Sequence, residues 1–188
     1  MEKFKGKYRI KSRRLQGWDY SSNGYYFLTI VTQHRICLLG KIESNLIYLS
    51  DIGKIVKREF LKSFEIRKEL FLDEYIIMPN HLHMIVILNK NNGIVETHGL
   101  HYRQQQKNFY RLPKSISSFM AGFKSAVNTK INDYIDAHNI NLEKFNKSNH
   151  FFQPNYYDRI IRNETEYQRI KNYIRQNPLK WGNDRFNG

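Results

Sequence analysis

The sequence reads as hairpin-joined strands mixed with helices, compatible with an α+β domain on an antiparallel sheet, and two patterns carry that reading. The first is hydrophobic spacing, which alternates between strand-like and helix-like along the chain in the order strand, hairpin, helix, hairpin, helix, strand, helix. The second is the pair Leu70–Ile77 and His81–Leu88, rich in β-branched and aromatic residues and separated only by Met78-Pro79-Asn80. Pro-Asn is turn chemistry, and so short a link joins antiparallel neighbours. A chain of 188 residues suits one domain with a sizeable core. No internal repeat or second composition domain is visible, so residues 1–188 are read as a single unit.

In chain order, residues 1–20 form a basic arm. Lys3, Lys5, Lys7, Arg9, Lys11 and Arg13 alternate with other residues and Arg14 follows. This is either a ribbon laid along a phosphate backbone or a solubilising tail. Gly24–Thr32 is a strand by its aromatic and β-branched content. A hairpin is expected next, with Cys37-Leu38-Leu39 and Leu46–Leu49 flanking Gly40. Ser50 is placed to cap a helix whose Ile52, Ile55, Val56, Phe60 and Phe64 make one apolar stripe. The His81 hairpin follows. Residues 89–112 are a polar insertion containing His98 and His101, long for a loop. A second helix starts near Ser115, with Ile116, Phe119, Met120, Phe123, Val127, Ile131 and Tyr134 as its core stripe, while Lys114, Lys124 and Lys130 fall off it. An extended piece is expected around Phe151–Tyr157. The last helix, 163–177, begins at Asn163-Glu-Thr-Glu166, close to a capping box, and Pro178 marks its end.

The net charge of +14 and pI of about 9.8 point to a phosphate polymer as partner. No apolar run is long enough to span a bilayer and no signal peptide is visible. The single cysteine, Cys37, excludes an internal disulfide and fits a reducing cytoplasm.

Side chains alternate along a strand, so His81 and His83 share one face with Ile85 and Ile87, about 7 Å apart at Cβ. That spacing lets both rings converge on one metal ion; the competing reading is a pair of satisfied histidines at a sheet end. In the last helix Tyr167, Ile170 and Ile174 form the buried stripe, with Tyr173 and Asn177 together at its edge.

Taken in this order and spacing, the motifs resemble a known family. His81-Leu82-His83 after Met78-Pro79-Asn80 is similar to the histidine–hydrophobe–histidine (HUH) motif of single-tyrosine transposases, and Tyr173-Ile-Arg-Gln-Asn177-Pro178 to their tyrosine motif. Phe152–Arg162 and Gly122-Phe123-Lys124-Ser125 most resemble the branch called REP-associated tyrosine transposases. The resemblance spans the chain from about residue 15. In insertion-sequence relatives a glutamine typically stands four residues after the tyrosine, where this chain has Asn177. The resemblance implies a ferredoxin-like α+β domain, with helices on one side of a central antiparallel sheet and a C-terminal catalytic helix. It also implies a metal-dependent endonuclease and strand transferase acting on single-stranded or hairpin DNA through a 5′-phosphotyrosine. Tyr173 would be the nucleophile, with His81, His83 and Asn177 on a divalent Mg²⁺ or Mn²⁺. Lys7, Arg9, Lys11, Arg13, Arg14, Lys124, Arg159 and Arg162 are expected to hold DNA. The implied setting is cytoplasmic, at the nucleoid, as monomer or homodimer. A domesticated, non-cutting binder of structured single strands is the alternative. A histidine-triad hydrolase would need a third alternating histidine where Ile85 stands. A two-histidine phosphoesterase would need two His-x-Ser/Thr motifs, which His81 and His83 do not make.

Overall fold

The computed structural model describes residues 17–90 and 113–187, together with the backbone of a short antiparallel ladder between Lys3–Phe4 (β1) and Lys7–Tyr8 (β2). Arg9, Lys11, Arg13, Arg14, His98 and His101 lie outside the described residues, and of Lys7 only the backbone is described.

Four strands make the central sheet: β3 (Gly24–Val31), β6 (Leu70–Ile77), β7 (His81–Leu88) and β8 (Tyr157–Ile161). Their order is β6-β7-β3-β8, and every neighbouring pair is antiparallel. The expected pair Leu70–Ile77 and His81–Leu88 forms with those bounds, closed by the Met78 N–H donating to the His81 carbonyl at 2.8 Å. Central position explains why β7 is apolar on both faces: Leu82, Met84, Val86 and Leu88 point one way, and the histidines and Ile85 the other.

Helices α1 (Asp51–Ile66) and α2 (Ile116–Ala137) cover the first face. Their Val56, Phe60, Phe119, Phe123 and Val127 pack with Leu28, Ile30, Leu82 and Met84 in the main core. Both start at the serines that the sequence marks. The Ser50 hydroxyl accepts from the Gly53 N–H at 3.0 Å, and Ser115 forms a reciprocal capping box with Ser118. Gly53 lies where α1 meets the preceding loop: a Cβ built there would stand 1.9 Å from the carbonyl oxygen of Leu39. Backbone cannot yield as a flexible side chain does, so Gly53→Ala is expected to destabilise the chain by about 1–3 kcal/mol through overpacking. Denaturant unfolding measures it; an unchanged midpoint would mean that α1 slides freely against that loop.

Two strands depart from expectation. In the hairpin before α1, the first strand is β4 (Gly40–Glu43), paired with β5 (Leu46–Leu49), rather than Cys37–Leu39. Ser44 and Asn45 both have positive φ (50° and 65°), a two-residue turn of the kind that fixes hairpin register and so draws the strand toward it. Leu39 is instead a fully buried plug whose N–H donates to Pro79 and whose carbonyl accepts from Ser50. Likewise the extended piece placed around Phe151–Tyr157 gives only one bridge, Thr32 to Phe152, and the strand starts at Tyr157. Phe151 and Phe152 are core residues, and Pro154 lacks the N–H a ladder needs.

The second face of the sheet carries α3 (Glu164–Gln176), followed by a 3-10 turn over Pro178–Asn183. Ile170 and Ile174 bury against Ile85 and Ile161 in a smaller cluster. Asn163 caps the helix through its Oδ1, while Glu166 accepts from the Arg162 N–H, one residue before the partner a capping box would use. Both sheet edges hold this helix. On β6 the ladder is irregular between Leu72 and Glu74. There Asp73 accepts from Lys171 at 3.0 Å and from the Tyr167 hydroxyl at 2.9 Å, and Glu74 accepts from Arg175 at 2.7 Å. On β8, Arg159 pairs with Glu166. Among the described residues no helix is long and apolar enough to cross a membrane.

Candidate active site

Register brings the site together. His83 sits directly opposite Thr29 and His81 opposite Val31, so both rings emerge beside β3 on the α3 face. The two ring centroids are 4.5 Å apart and both side chains are fully buried. Each ring is oriented from behind. Asn80, also fully buried, donates its amide N–H groups to the carbonyls of Arg35 (2.9 Å) and Phe186 (2.7 Å). Its Oδ1 is therefore the acceptor for His81 Nδ1 at 2.8 Å. That assigns the ring proton of neutral His81 to Nδ1 and leaves a lone pair on Nε2, which is buried without a hydrogen-bond partner. His83 Nδ1 meets the Thr29 hydroxyl at 2.7 Å.

Opposite His83 stands Tyr173, half-buried on α3, its hydroxyl 3.2 Å from His83 Nε2. Phe27 packs edge-on against the Tyr173 ring. The 3-10 turn then brings the chain back over the histidines, with Trp181 6.0 Å and Phe186 4.8 Å from the His81 ring. Asp184 arrives with it. One ligand atom from each of His81, His83 and Asp184 lies within 4.8 Å of the others, a cluster able to hold a metal ion. Asn177, the expected third ligand, is buried beside this cluster: its Nδ2 donates to Asp184 Oδ2 at 3.3 Å and its Oδ1 has no partner. An orphaned imidazole nitrogen, an orphaned amide oxygen and a carboxylate in one buried spot are a donor set that fits a cation.

Sequence reading missed Asp184 and the roles of Asn80 and Arg185. Asp184 had one signal: it is the only acid after Glu166. Lys124 proves to be a tether, its ammonium donating to the carbonyls of Gln153 (2.5 Å) and Pro154 (3.0 Å). Arg159 faces the α3 side in its pair with Glu166, and Arg162 is exposed at the foot of that helix.

The electrostatics follow from burial. Desolvation pushes His81 down to about 4, with Arg185 adding to it and Asp184 and the Asn177 amide opposing. His83 is held well below the usual histidine range by burial, then by His81 and Arg185. Burial also raises Tyr173, as does Asp184, while Arg185 and the Asn177 amide favour its phenolate. Because both imidazoles are depressed in the folded chain, their neutral forms contribute stability that is complete above about 6.5. As pH falls below that value the unfolded chain takes up protons that the folded chain refuses. Stability in chelator is expected to fall steadily as pH drops from about 6.5 toward about 4, the range in which His81 stays neutral in the folded chain and takes up a proton in the unfolded one. Denaturant titrations between neutral and mildly acidic pH check this; a flat profile would mean that the rings ionise in place.

No family model matches the chain. A protein of Haemophilus influenzae, itself uncharacterized, is 33% identical over 182 residues, covering 96% of this chain and 94% of that protein. The chain belongs to one family with it. The solved structure of a REP-associated tyrosine transposase bound to a REP hairpin matches with a TM-score of 0.53 and 18% identity, covering 97% of this chain and 75% of that one. The fold is therefore that of a REP-associated tyrosine transposase, in agreement with the motif resemblance. Within this fold the histidine strand is central and the tyrosine helix crosses the face opposite α1 and α2.

Proposed function

We propose that the chain is a single-tyrosine HUH transposase that cuts and rejoins single-stranded DNA at hairpin-bearing sites. The observation that carries the reading is the Tyr173 hydroxyl standing 3.2 Å from His83 Nε2 at the edge of the His81–His83–Asp184 cluster. His81, His83 and Asp184 would hold a divalent ion, with Asn177 alongside. When bound, that ion supplies positive charge to polarise a phosphate oxygen. Two imidazoles and a carboxylate suit Mn²⁺ more readily than Mg²⁺, which favours all-oxygen sites.

The chain's own residues do the rest. Tyr173 gives its proton to solvent and its oxygen forms a bond to the scissile phosphorus, while the bond to the 3′-oxygen breaks and that oxygen leaves as a hydroxyl after taking a proton from solvent. The product is a 5′-phosphotyrosine whose retained bond energy allows resealing by the reverse step. Arg185 and the Asn177 amide favour the phenolate against burial. Helix α3 packs on its own sheet. The basic arm with Lys7, Arg9, Lys11, Arg13 and Arg14, and the charges of Arg159 and Arg162, would supply backbone contacts. The proposed setting is the cytoplasm, at the nucleoid. The test is incubation with 5′- and 3′-labelled hairpin oligonucleotides in Mn²⁺ or Mg²⁺, followed by denaturing electrophoresis. A protein adduct on the DNA 5′ end supports the reading; hairpin binding with no adduct in either ion leaves the non-cutting alternative.

A further inference from the structure

Beside Tyr173 a cavity of about 580 Å³ opens over Phe27 and Ile170. Four cations reach it: Arg159 from β8, Arg169 from α3, and Lys180 and Arg185 from the segment after α3. Among the described residues no carboxylate lines it, whereas the adjoining cavity at the start of α3, which Arg159 and Arg169 also line, includes Asp158 and Glu166. The pairings of α3 sharpen this contrast. Its Lys171 and Arg175 are spent on Asp73 and Glu74, but Arg169 has no ion pair or hydrogen bond among the described residues. Among the described residues the Lys180 ammonium hydrogen-bonds only to the neutral Gln176 amide, at 3.0 Å. Arg185 is laid over the rings of Tyr157 (5.3 Å) and Phe186 (4.5 Å). A guanidinium stacked on aromatic faces keeps its in-plane N–H donors available for a bidentate acceptor such as phosphate.

We propose that this cavity is a phosphate subsite in which Arg169, Lys180 and Arg185 seat the single-strand backbone next to the phosphate that Tyr173 attacks. The proposal rests on the reading above and adds to it the path of the strand through this chain. An opening lined by cations, on the side of α3 that carries the tyrosine hydroxyl, matches a polyanion entering there. Gln176 and Asn172 line the same opening and offer amide groups to bases. Arg185 lines the same opening as Tyr173 and lies over Phe186, whose ring is 4.8 Å from that of His81, so a phosphate on its guanidinium would sit beside the reacting centre.

The experiment uses the full chain in chelator, where no cutting complicates binding, and follows fluorescence anisotropy of two probes. One is an oligothymidylate of about twelve nucleotides, within the usual span of a single-strand groove; the other is a blunt DNA hairpin of equal phosphate count. Arg169→Ala with Lys180→Ala changes two exposed side chains, and matched thermal unfolding curves check that the fold is kept. The double variant is expected to bind oligothymidylate about tenfold more weakly. Its slope of log affinity against log salt should fall by about 1.4, at about 0.7 per single-strand phosphate contact. Hairpin affinity should stay within about twofold, and Arg169→Lys with Lys180→Arg should recover the slope. An unchanged slope on oligothymidylate, or an equal loss on both probes, overturns the subsite. Failure of the enzyme reading would look different: wild-type protein would form no adduct with any labelled hairpin, whatever these binding curves show.

Discussion

Tyr173→Phe is expected to abolish covalent attachment of the chain to DNA while leaving fold and DNA affinity nearly unchanged. The substitution removes one oxygen and almost no volume. The ring keeps its edge-on packing against Phe27, and the lost contact to His83 costs about 1 kcal/mol at most, the usual net value of one hydrogen bond. The effect on chemistry is total, since phenylalanine has no nucleophile. The competing tyrosines are committed elsewhere. Tyr167 donates to Asp73 and neighbours Lys171, and Tyr156 is buried in the core on the helix-covered face. Tyr157 packs against Phe186 and under Arg185, on β8 rather than α3. Denaturing electrophoresis of 5′-labelled product decides the matter. An adduct formed by the Phe variant would move the nucleophile to Tyr157, the next nearest.

The second large effect concerns the ion. His81→Ala or His83→Ala is expected to eliminate measurable Mn²⁺ binding by calorimetry and cleavage with it, leaving hairpin binding largely intact because that rests on surface charge. The informative comparison is between Asp184→Ala and Asn177→Ala. Asp184 brings a formal charge and lies within ligand distance of both imidazoles; Asn177 brings a dipole and a hydrogen bond to Asp184. Loss of the carboxylate should weaken the ion about 100-fold, and loss of the amide about tenfold, the range seen when an orienting neighbour of a ligand is removed. Equal losses would make the Asn177 oxygen a ligand in its own right, as the tyrosine motif suggested. Binding that survives removal of both histidines would end the metal hypothesis.

How far the site could be read in advance depended on how local its cause was. The His81 hairpin was legible because β-branched runs and Pro79-Asn80 act within a few residues, and the pleat alone puts His81 and His83 on one face. Ser50, Ser115 and Asn163 announced their helices by the chemistry of the cap. Tyr173 was legible only through a motif, since a tyrosine at the edge of an apolar stripe is ordinarily packing. Asp184 had no such pattern: it joins the histidines because the turn after Pro178 folds back, a tertiary event about a hundred residues away in sequence. Asn80 was read as a turn residue, and its second role depends on Phe186, equally remote. The misplaced strands have the same origin. Leu39 and Phe151 are apolar enough for a ladder, but they are buried as plugs because turns and Pro154 set the register elsewhere.

The sheet order has a consequence for how the two halves of the candidate site are held. The β6–β7 hairpin and its neighbour α1 are contiguous in sequence and close cheaply, whereas pairing β3 with β8 joins residue 25 to residue 161 and must meet the entropy of the whole intervening loop. Helix α3 and the turn bearing Asp184 follow β8 in the chain, and α3 packs on β6 and β7. The two imidazoles thus arise from one local hairpin, whereas the phenol and the carboxylate reach them only through tertiary contacts. A chain lacking that long-range closure would hold only the histidine half of the cluster.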